Sequence, residues 1–184
     1  PKPFDLLFWN ADQTNIPGPT HLTYLKDLYG QNALAKGEFR VLGRKVNLSD
    51  IEIPVFTQAG REDHISPFNS VYRSALAFGG PTEFVLAGSG HIAGVVNHPD
   101  AKKYQHWTNP DLPESPSKWL EHSEEHAGSW WPHWLAWLKT HSGAKVAALD
   151  VEDRGLGDAP GAYVRYRLSD LGVGALSEPG DSGK

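Results

Sequence analysis

Two short apolar runs decide the fold: Ile53-Pro54-Val55-Phe56-Thr57-Gln58-Ala59-Gly60 and Glu83-Phe84-Val85-Leu86-Ala87. Both have the length and the aliphatic and aromatic content of buried strands, and a proline is tolerated near the start of a strand. Between them, the segment from Pro67, or the residue before it, to about Phe78 has apolar residues at helical spacing, namely Val71, Ala75 and Phe78. Strand, helix and strand in this order predict a crossover between two parallel strands, and therefore an α/β fold.

The remaining segments predict mainly helices. Apolar residues recur at helical spacing from Thr20 to about Leu34, with Thr20 as a plausible N-cap. Phe39 to Val46 alternates and predicts a short hairpin. Two further helices are expected, over Pro116 to Glu124 and Pro132 to His141. Beyond Gly143 the sequence becomes rich in Gly, Asp and Ser, so we expect the last ten or so residues to be disordered.

Composition excludes several classes of protein. The chain has 184 residues, 39% of them hydrophobic and 21% charged, which suits one globular domain with a sizeable core. A formal net charge of −5 argues against nucleic acid as the main partner. No apolar run approaches the ~20 residues of a membrane span, and no signal peptide opens the chain. The absence of cysteine excludes disulfides and thiolate metal sites.

The start of the chain is informative. It begins at Pro1 and contains no methionine, so we do not expect it to be a complete unprocessed translation product. We expect it to be a piece of a longer protein, with removal of an N-terminal tag as the alternative.

Two polar residues follow the two predicted parallel strands. Asp63 lies three residues beyond the first strand, and His91 lies just beyond the second, in Gly88-Ser89-Gly90-His91-Ile92. The carboxyl ends of parallel strands meet at one edge of a sheet, so both side chains are expected on the same rim. An acid after one strand and a histidine after the next follow the order of the acid and base in α/β-hydrolases. The carboxylate would fix the imidazole tautomer, and the imidazole would take the proton of a nucleophile.

The alternative for each residue is structural. An aspartate after a strand is often only a turn former or a helix N-cap, and Gly-Ser-Gly is a common loop sequence. Their order and their separation by one crossover helix favour the catalytic interpretation.

Four separated motifs carry a resemblance to a known family. In chain order, they are Phe8-Trp9-Asn10-Ala11-Asp12 with Asn15 and Pro17-Gly18-Pro19, then Arg61-Glu62-Asp63-His64-Ile65, then Gly88-Ser89-Gly90-His91-Ile92-Ala93-Gly94-Val95, then Gly128-Ser129-Trp130-Trp131-Pro132. They resemble polyhydroxyalkanoate synthases, most closely the class I type. The resemblance runs to about Gly143, with a weaker echo at Tyr163-Val164.

The resemblance implies an acyltransferase that polymerises (R)-3-hydroxyacyl-CoA into polyester and releases CoA. A cysteine in a lipase-like box carries the growing chain, a histidine activates it, and an aspartate assists by activating the incoming hydroxyl. Carried over by motif, His91 is the base and Asp63 the acid, with no cofactor and no metal. Trp9 would lie in a segment linked to the cap.

The resemblance also implies an organisation: the C-terminal portion of an α/β-hydrolase-like fold. Residues 1–52 would end the cap or lid, and 53–95 would hold the last strands of the core with the acid and His loops. Residues 96–145 would be a C-terminal helical segment, and 146–184 a partly disordered C-terminal extension. We expect a homodimer, cytoplasmic and associated with the polyhydroxyalkanoate granule surface.

The nucleophile is the main departure from the family. The family's cysteine lies upstream of everything in this chain, and Ser89 is too near His91 and on the wrong side of it to replace it. We therefore expect the chain alone to be inactive and to need the N-terminal remainder of the synthase. Two alternatives remain: an esterase or thioesterase with its nucleophile on the absent part, and a non-catalytic module for dimerisation or granule attachment.

Two other patterns are weighed and set aside. His122-Ser123-Glu124-Glu125-His126 matches a zinc-peptidase pattern, but Ala127-Gly128 follows at once and is expected to end the helix that the pattern requires. The tryptophan-rich segment could stack sugars or nucleotides, but aromatic residues more often bury area in a core or at an interface. Its members are Trp119, Trp130, Trp131, Trp134 and Trp137.

Overall fold

The computed structural model describes residues 15–150 together with 155, 157 and 161. The chain divides into two compact units, residues 1–142 and 143–184. In the second unit, residues 143–150 are in neither a helix nor a strand. The motif containing Trp9, the echo at Tyr163-Val164 and the expected disordered tail lie outside the described residues.

The first segment differs from its prediction in both bounds and type. Helix α1 spans Gly18–Thr23, and a π-helix, Tyr24–Gly30, continues it. The helix starts before Thr20 because Pro17 and Pro19 supply the fixed φ that suits a helix start, so Thr20 is not the N-cap. The π-helix ends at Gly30, short of the predicted end near Leu34. Its apolar side chains are largely exposed in the described structure, as at Leu22 and Tyr29.

The predicted hairpin is confirmed. Strands β1 (Arg40–Val41) and β2 (Arg44–Lys45) pair antiparallel. The two-residue turn between them has positive φ at both Leu42 and Gly43, which is the conformation that matches the twist of a tight hairpin. A short 3₁₀ turn, Leu48–Asp50, follows.

The predicted crossover is also confirmed. Strand β3 (Val55–Gly60) starts directly after Pro54, helix α2 spans Phe68–Ala75, and strand β4 spans Thr82–Ala87. Strands β3 and β4 are parallel, in a register that pairs Gly60 with Ala87. The carboxyl ends of the two strands are therefore level with each other, as the location of the site requires.

Two further strands, which the sequence did not predict, complete the sheet within residues 96–145. After a 3₁₀ turn at Pro99–Ala101, strand β5 (Gln105–Thr108) pairs antiparallel with β4, and strand β6 (Glu124–Ala127) pairs antiparallel with β5. The sheet order is β3-β4-β5-β6. Helix α3, Pro116–Glu121, ends before Glu124 because that residue already belongs to β6. Helix α4, Trp131–His141, closes the first unit.

The core has two clusters that involve alternate residues of β4. Phe84 and Leu86 belong to a cluster with residues of α2 and α3, in which the Phe84 and Trp119 rings meet edge to face at 4.9 Å. The fully buried Tyr72 donates its hydroxyl to the Pro113 carbonyl at 2.7 Å, and burial raises the pKa of Tyr72 to about 12. The second cluster comprises Val85, Ala87 and Trp130, with Phe56 and Trp131 packed against it. Within the described residues no helix is both long enough and apolar enough to cross a bilayer.

Candidate active site

Asp63 is held by the turn that follows β3. Its Oδ1 accepts the backbone amides of Ile65 and Ser66, at 2.8 and 2.9 Å. These bonds to the ionised form, above all the one from Ser66, lower the pKa of the Asp63 carboxyl, although burial acts against them. One of the two oxygens of Asp63, Oδ1, therefore has the turn-forming role that was the alternative to a catalytic one. The other oxygen remains for a different partner.

His91 is presented by residues 88–96, here called the His91 loop, which follow β4. The loop is bonded to the Asp63 turn through Glu62, whose amide donates to the Ser89 carbonyl at 3.1 Å. Ser89 has a φ of 89°, a backbone conformation that costs a side-chain-bearing residue energy and often occurs at functional sites. Gly60 lies between the two segments: a Cβ there would approach the carbonyl oxygens of Ser89 and Gly90 to 3.1 and 3.3 Å. A side chain at position 60 would therefore require these neighbours to move by a few tenths of an ångström.

The two side chains meet as the sequence predicts. His91 Nδ1 lies 2.8 Å from Asp63 Oδ2. The Asp63 side chain is only 6% exposed, whereas that of His91 is 46% exposed. Because an ionised carboxylate accepts hydrogen bonds only, Nδ1 carries the proton in this pair. The lone pair of the neutral ring is then at Nε2.

This arrangement can remove a proton from a nucleophile. A neutral imidazole with its tautomer fixed by a buried carboxylate is the base and orienting half of a nucleophilic triad. The sequence has no cysteine, and no hydroxyl among the described residues is hydrogen-bonded to His91. The pair therefore has the geometry of the base and the orienting acid of such a triad.

The residues on either side of Asp63 are exposed to solvent. His64 is exposed, and among the described residues no hydrogen bond joins it to His91. Arg61, at the start of the Asp63 turn, lies with its guanidinium carbon 4.5 Å from the centroid of the Trp107 ring. This cation–π contact joins the turn to β5 across the sheet.

The zinc pattern is separated by the fold. His122 caps the end of α3, whereas His126 lies in β6 and hydrogen-bonds the Thr108 hydroxyl at 2.8 Å. The two histidines therefore do not share a helical face. Across the described residues, no group of three or more His, Asp or Glu side chains is placed to hold a metal ion.

A second group of histidines was not anticipated. His106 is buried and stacks on His126, and burial lowers the pKa of His106. His133 in α4 is hydrogen-bonded to Glu83 and lies near the His106 ring. His106 and His126 lie on β5 and β6, two strands that the sequence did not predict, so their approach to His133 could not be read from the sequence.

The tryptophans pack mainly into the protein. Trp119 is fully buried and Trp130 is 8% exposed, in the two separate clusters. Trp137 contacts the Phe56 ring, whereas Trp134 is 38% exposed. The packing interpretation therefore holds for most of this segment.

Sequence comparison gives the family. The chain is 49% identical over 170 residues to the poly(3-hydroxyalkanoate) polymerase subunit PhaC of Rhizobium etli, a match that covers 91% of this chain and 27% of that protein. It is 48% identical over 172 residues to the protein of the same name from Cupriavidus necator, covering 91% and 29%. The matched region is the C-terminal part of these proteins. The chain belongs to the poly(3-hydroxyalkanoate) polymerase family.

The extent of the match matters as much as its strength. The chain spans just over a quarter of the length of these polymerases. A poly(3-hydroxyalkanoate) polymerase of Methylorubrum extorquens is 43% identical over 172 residues, again across 91% of the chain. No protein-family model matches the chain. The predicted fold class, the C-terminal portion of an α/β-hydrolase-like fold, is confirmed by the sheet and by this membership.

Proposed function

We propose that this chain supplies the acid and the base of a poly(3-hydroxyalkanoate) polymerase, with the nucleophilic cysteine on a segment upstream of it. The reaction is polymerisation of (R)-3-hydroxyacyl-CoA into polyester with release of CoA. The observation that carries the proposal is the 2.8 Å contact between His91 Nδ1 and Asp63 Oδ2, which directs Nε2 away from the carboxylate. The names of the relatives supply the reaction class.

In the acylation step, His91 Nε2 takes the thiol proton of the cysteine, and the thiolate attacks the thioester carbonyl. The bond between the carbonyl carbon and the CoA sulfur breaks, and CoA leaves as a thiol after receiving the proton from the imidazolium. The acyl group is then held on the cysteine as a thioester. In chain growth, a hydroxyl gives its proton to His91 and attacks such a thioester, and an ester bond forms. The bond between the carbonyl carbon and the cysteine sulfur breaks, and the cysteine leaves as a thiol after receiving that proton from the imidazolium.

The geometry favours one of two roles for Asp63. Its Oδ1 already accepts two backbone amides and its Oδ2 accepts one hydrogen bond from His91, so three of the roughly four acceptor sites of the carboxylate are occupied. Its lowered pKa also makes it a weak base. We therefore infer that Asp63 acts through His91, which would activate both the thiol and the hydroxyl.

The same pair would also serve an esterase or a thioesterase, because those enzymes use the same base and orienting acid. The relatives are named polymerases, which favours polymerisation. Homodimerisation, cytoplasmic location and attachment to a granule surface stay proposals that follow from the family.

The experiment is an exchange chimera, in which the matched C-terminal part of the Rhizobium etli polymerase is replaced by this chain. The chimera and the chain alone are each incubated with 3-hydroxybutyryl-CoA, and released CoA is followed with a thiol reagent. We expect release and polyester from the chimera, and none from the chain alone above a protein-free control.

Three outcomes contradict the proposal. Release of CoA by the chain alone would mean that it holds its own nucleophile. A chimera that releases CoA without forming polyester would support the thioesterase. A chimera that keeps full activity after both His91→Ala and Asp63→Ala would support the non-catalytic module.

A further inference from the structure

The sequence Gly128-Ser129-Trp130-Trp131-Pro132 has a position in the fold that the reaction above does not use. It joins β6 to α4, and its two indoles turn toward the His91 loop. Trp130 Nε1 donates to the Gly94 carbonyl at 2.9 Å, and Trp131 Nε1 donates to the Val95 carbonyl at 2.9 Å. Two consecutive indoles thus bond two consecutive carbonyls, 36 positions away in the sequence.

These bonds lead back to the catalytic histidine through the backbone. The Gly94 amide donates to the Gly90 carbonyl at 2.8 Å, and Gly90 directly precedes His91. A Cβ at Gly94 would come within 2.7 Å of that carbonyl oxygen, so the turn is as tight as a glycine allows. A displacement of the Gly94 carbonyl therefore reaches His91 through one hydrogen-bonded turn.

The two tryptophans are themselves fixed. The Trp130 ring is buried and stacks on Phe56 of β3, with ring centres 6.1 Å apart and planes at 21°. The backbone amide of Trp131 donates to the hydroxyl of the buried Ser129, at 3.1 Å. The Trp131 ring also meets the His98 ring edge to face. Two fixed indole N–H donors at the start of α4 therefore face the His91 loop.

We propose that Trp130 and Trp131 are positioning residues that hold the His91 loop where His91 Nδ1 can reach Asp63. The Asp63 turn secures one side of the loop through the Glu62 amide, and the two indoles secure the other. Without the indole bonds, the loop would spend less time in the arrangement that pairs His91 with Asp63. The imidazole would then shift toward the Nε2–H tautomer, which cannot act as the base. This inference rests on the proposed role of His91.

The test replaces each indole by a ring that cannot donate, in Trp130→Phe and Trp131→Phe. The matched control is Trp134→Phe, the same change in α4, because the Trp134 ring packs on Trp130 while no bond from it to the His91 loop is found in the described structure. In the full chain labelled with ¹⁵N-histidine, NMR measures the ratio of the Nδ1–H tautomer of His91 to its Nε2–H tautomer. We expect this ratio to fall about 5-fold in each test variant, the effect of one lost hydrogen bond, and to stay unchanged in the control.

Turnover in the exchange chimera gives the second readout. We expect kcat for CoA release to fall about 5-fold in each test variant with KM unchanged, because the base is misplaced while the substrate still binds. An unchanged tautomer ratio in both test variants overturns the inference, and so does an equal fall in Trp134→Phe. Since the Trp131 ring is half-buried, its variant decides the matter if Trp130→Phe does not fold. An inactive unsubstituted chimera counts against the proposed function, and the tautomer ratio still decides this inference.

Discussion

Replacing Asp63 by asparagine exchanges one carboxylate oxygen for an NH₂ group and leaves the shape of the side chain almost unchanged. Asp63 accepts three hydrogen bonds, two from the Ile65 and Ser66 amides on Oδ1 and one from His91 on Oδ2. A single amide oxygen can serve the two backbone amides or the imidazole, but not both. We expect it to stay with the two amides, which turns the NH₂ group toward His91 Nδ1.

The imidazole must then accept at Nδ1 and carry its proton on Nε2. In that tautomer Nε2 has no lone pair to accept the proton of the nucleophile, so His91 cannot act as the base although the side chains keep nearly the same positions. Where a triad aspartate elsewhere is changed in this way, turnover falls about 10⁴-fold. His91 is 46% exposed here and can rearrange more readily than a buried ring, so we expect a fall of roughly 10³-fold to 10⁴-fold in acylation.

The assay is CoA release by the exchange chimera under single-turnover conditions, with Asp111→Asn as the control for the same chemical change at an exposed position. Acylation and chain growth should slow together, because both use His91. If Asp63→Asn acylates at the unsubstituted rate but elongates slowly, Asp63 acts directly on the hydroxyl and the inferred role is wrong. If both steps are unaffected, the pair is not catalytic.

Three further predictions follow from the packing. Gly60→Ala should lower turnover of the chimera about 10-fold, because the added Cβ pushes the His91 loop away from the Asp63 turn. Gly143→Ala, where a Cβ meets no other atom, should leave turnover unchanged, and equal rates in the two variants would show that the close approach at Gly60 is unimportant. Phe84→Ala should lower the free energy of unfolding by about 3–5 kcal/mol, since the ring is fully buried, whereas Ile53→Ala at an exposed position should lower it by at most about 0.5 kcal/mol. Denaturant unfolding of the chain measures both values, and similar losses in the two variants would refute the assignment of Phe84 to the core. Burial lowers the pKa of His106, so the unfolded chain binds the proton more readily, and the free energy of unfolding should fall as the pH drops below the ordinary pKa of 6.5 and level off at the folded pKa. In thermal unfolding, His106→Gln should lose this part of the pH dependence, and an unchanged slope would mean that another group causes it.

The parallel pair and its crossover were predictable because their signals are local. Val85 and Leu86 lie in an uninterrupted apolar run, which is what a strand buried on both faces requires. Asp63 and His91 followed from this, since the strand ends fix where their loops begin.

Strands β5 and β6 were not predictable from their own residues. Glu124 and Glu125 are exposed and have poor strand propensity, and they form a strand only because β5 offers them a free edge. The hydrogen bonds from the Trp130 and Trp131 indoles could not be predicted from the sequence for a related reason. Their acceptors are backbone carbonyls, which every residue has, so no side-chain pattern marks them.

We propose above that His91 of this chain activates a cysteine that another segment supplies. The most direct measurement is the intact mass of the exchange chimera after a single turnover with 3-hydroxybutyryl-CoA. We expect one hydroxybutyryl group on the cysteine of the unsubstituted chimera, and none on the His91→Ala chimera in the same time. Equal acylation of the two chimeras would contradict it.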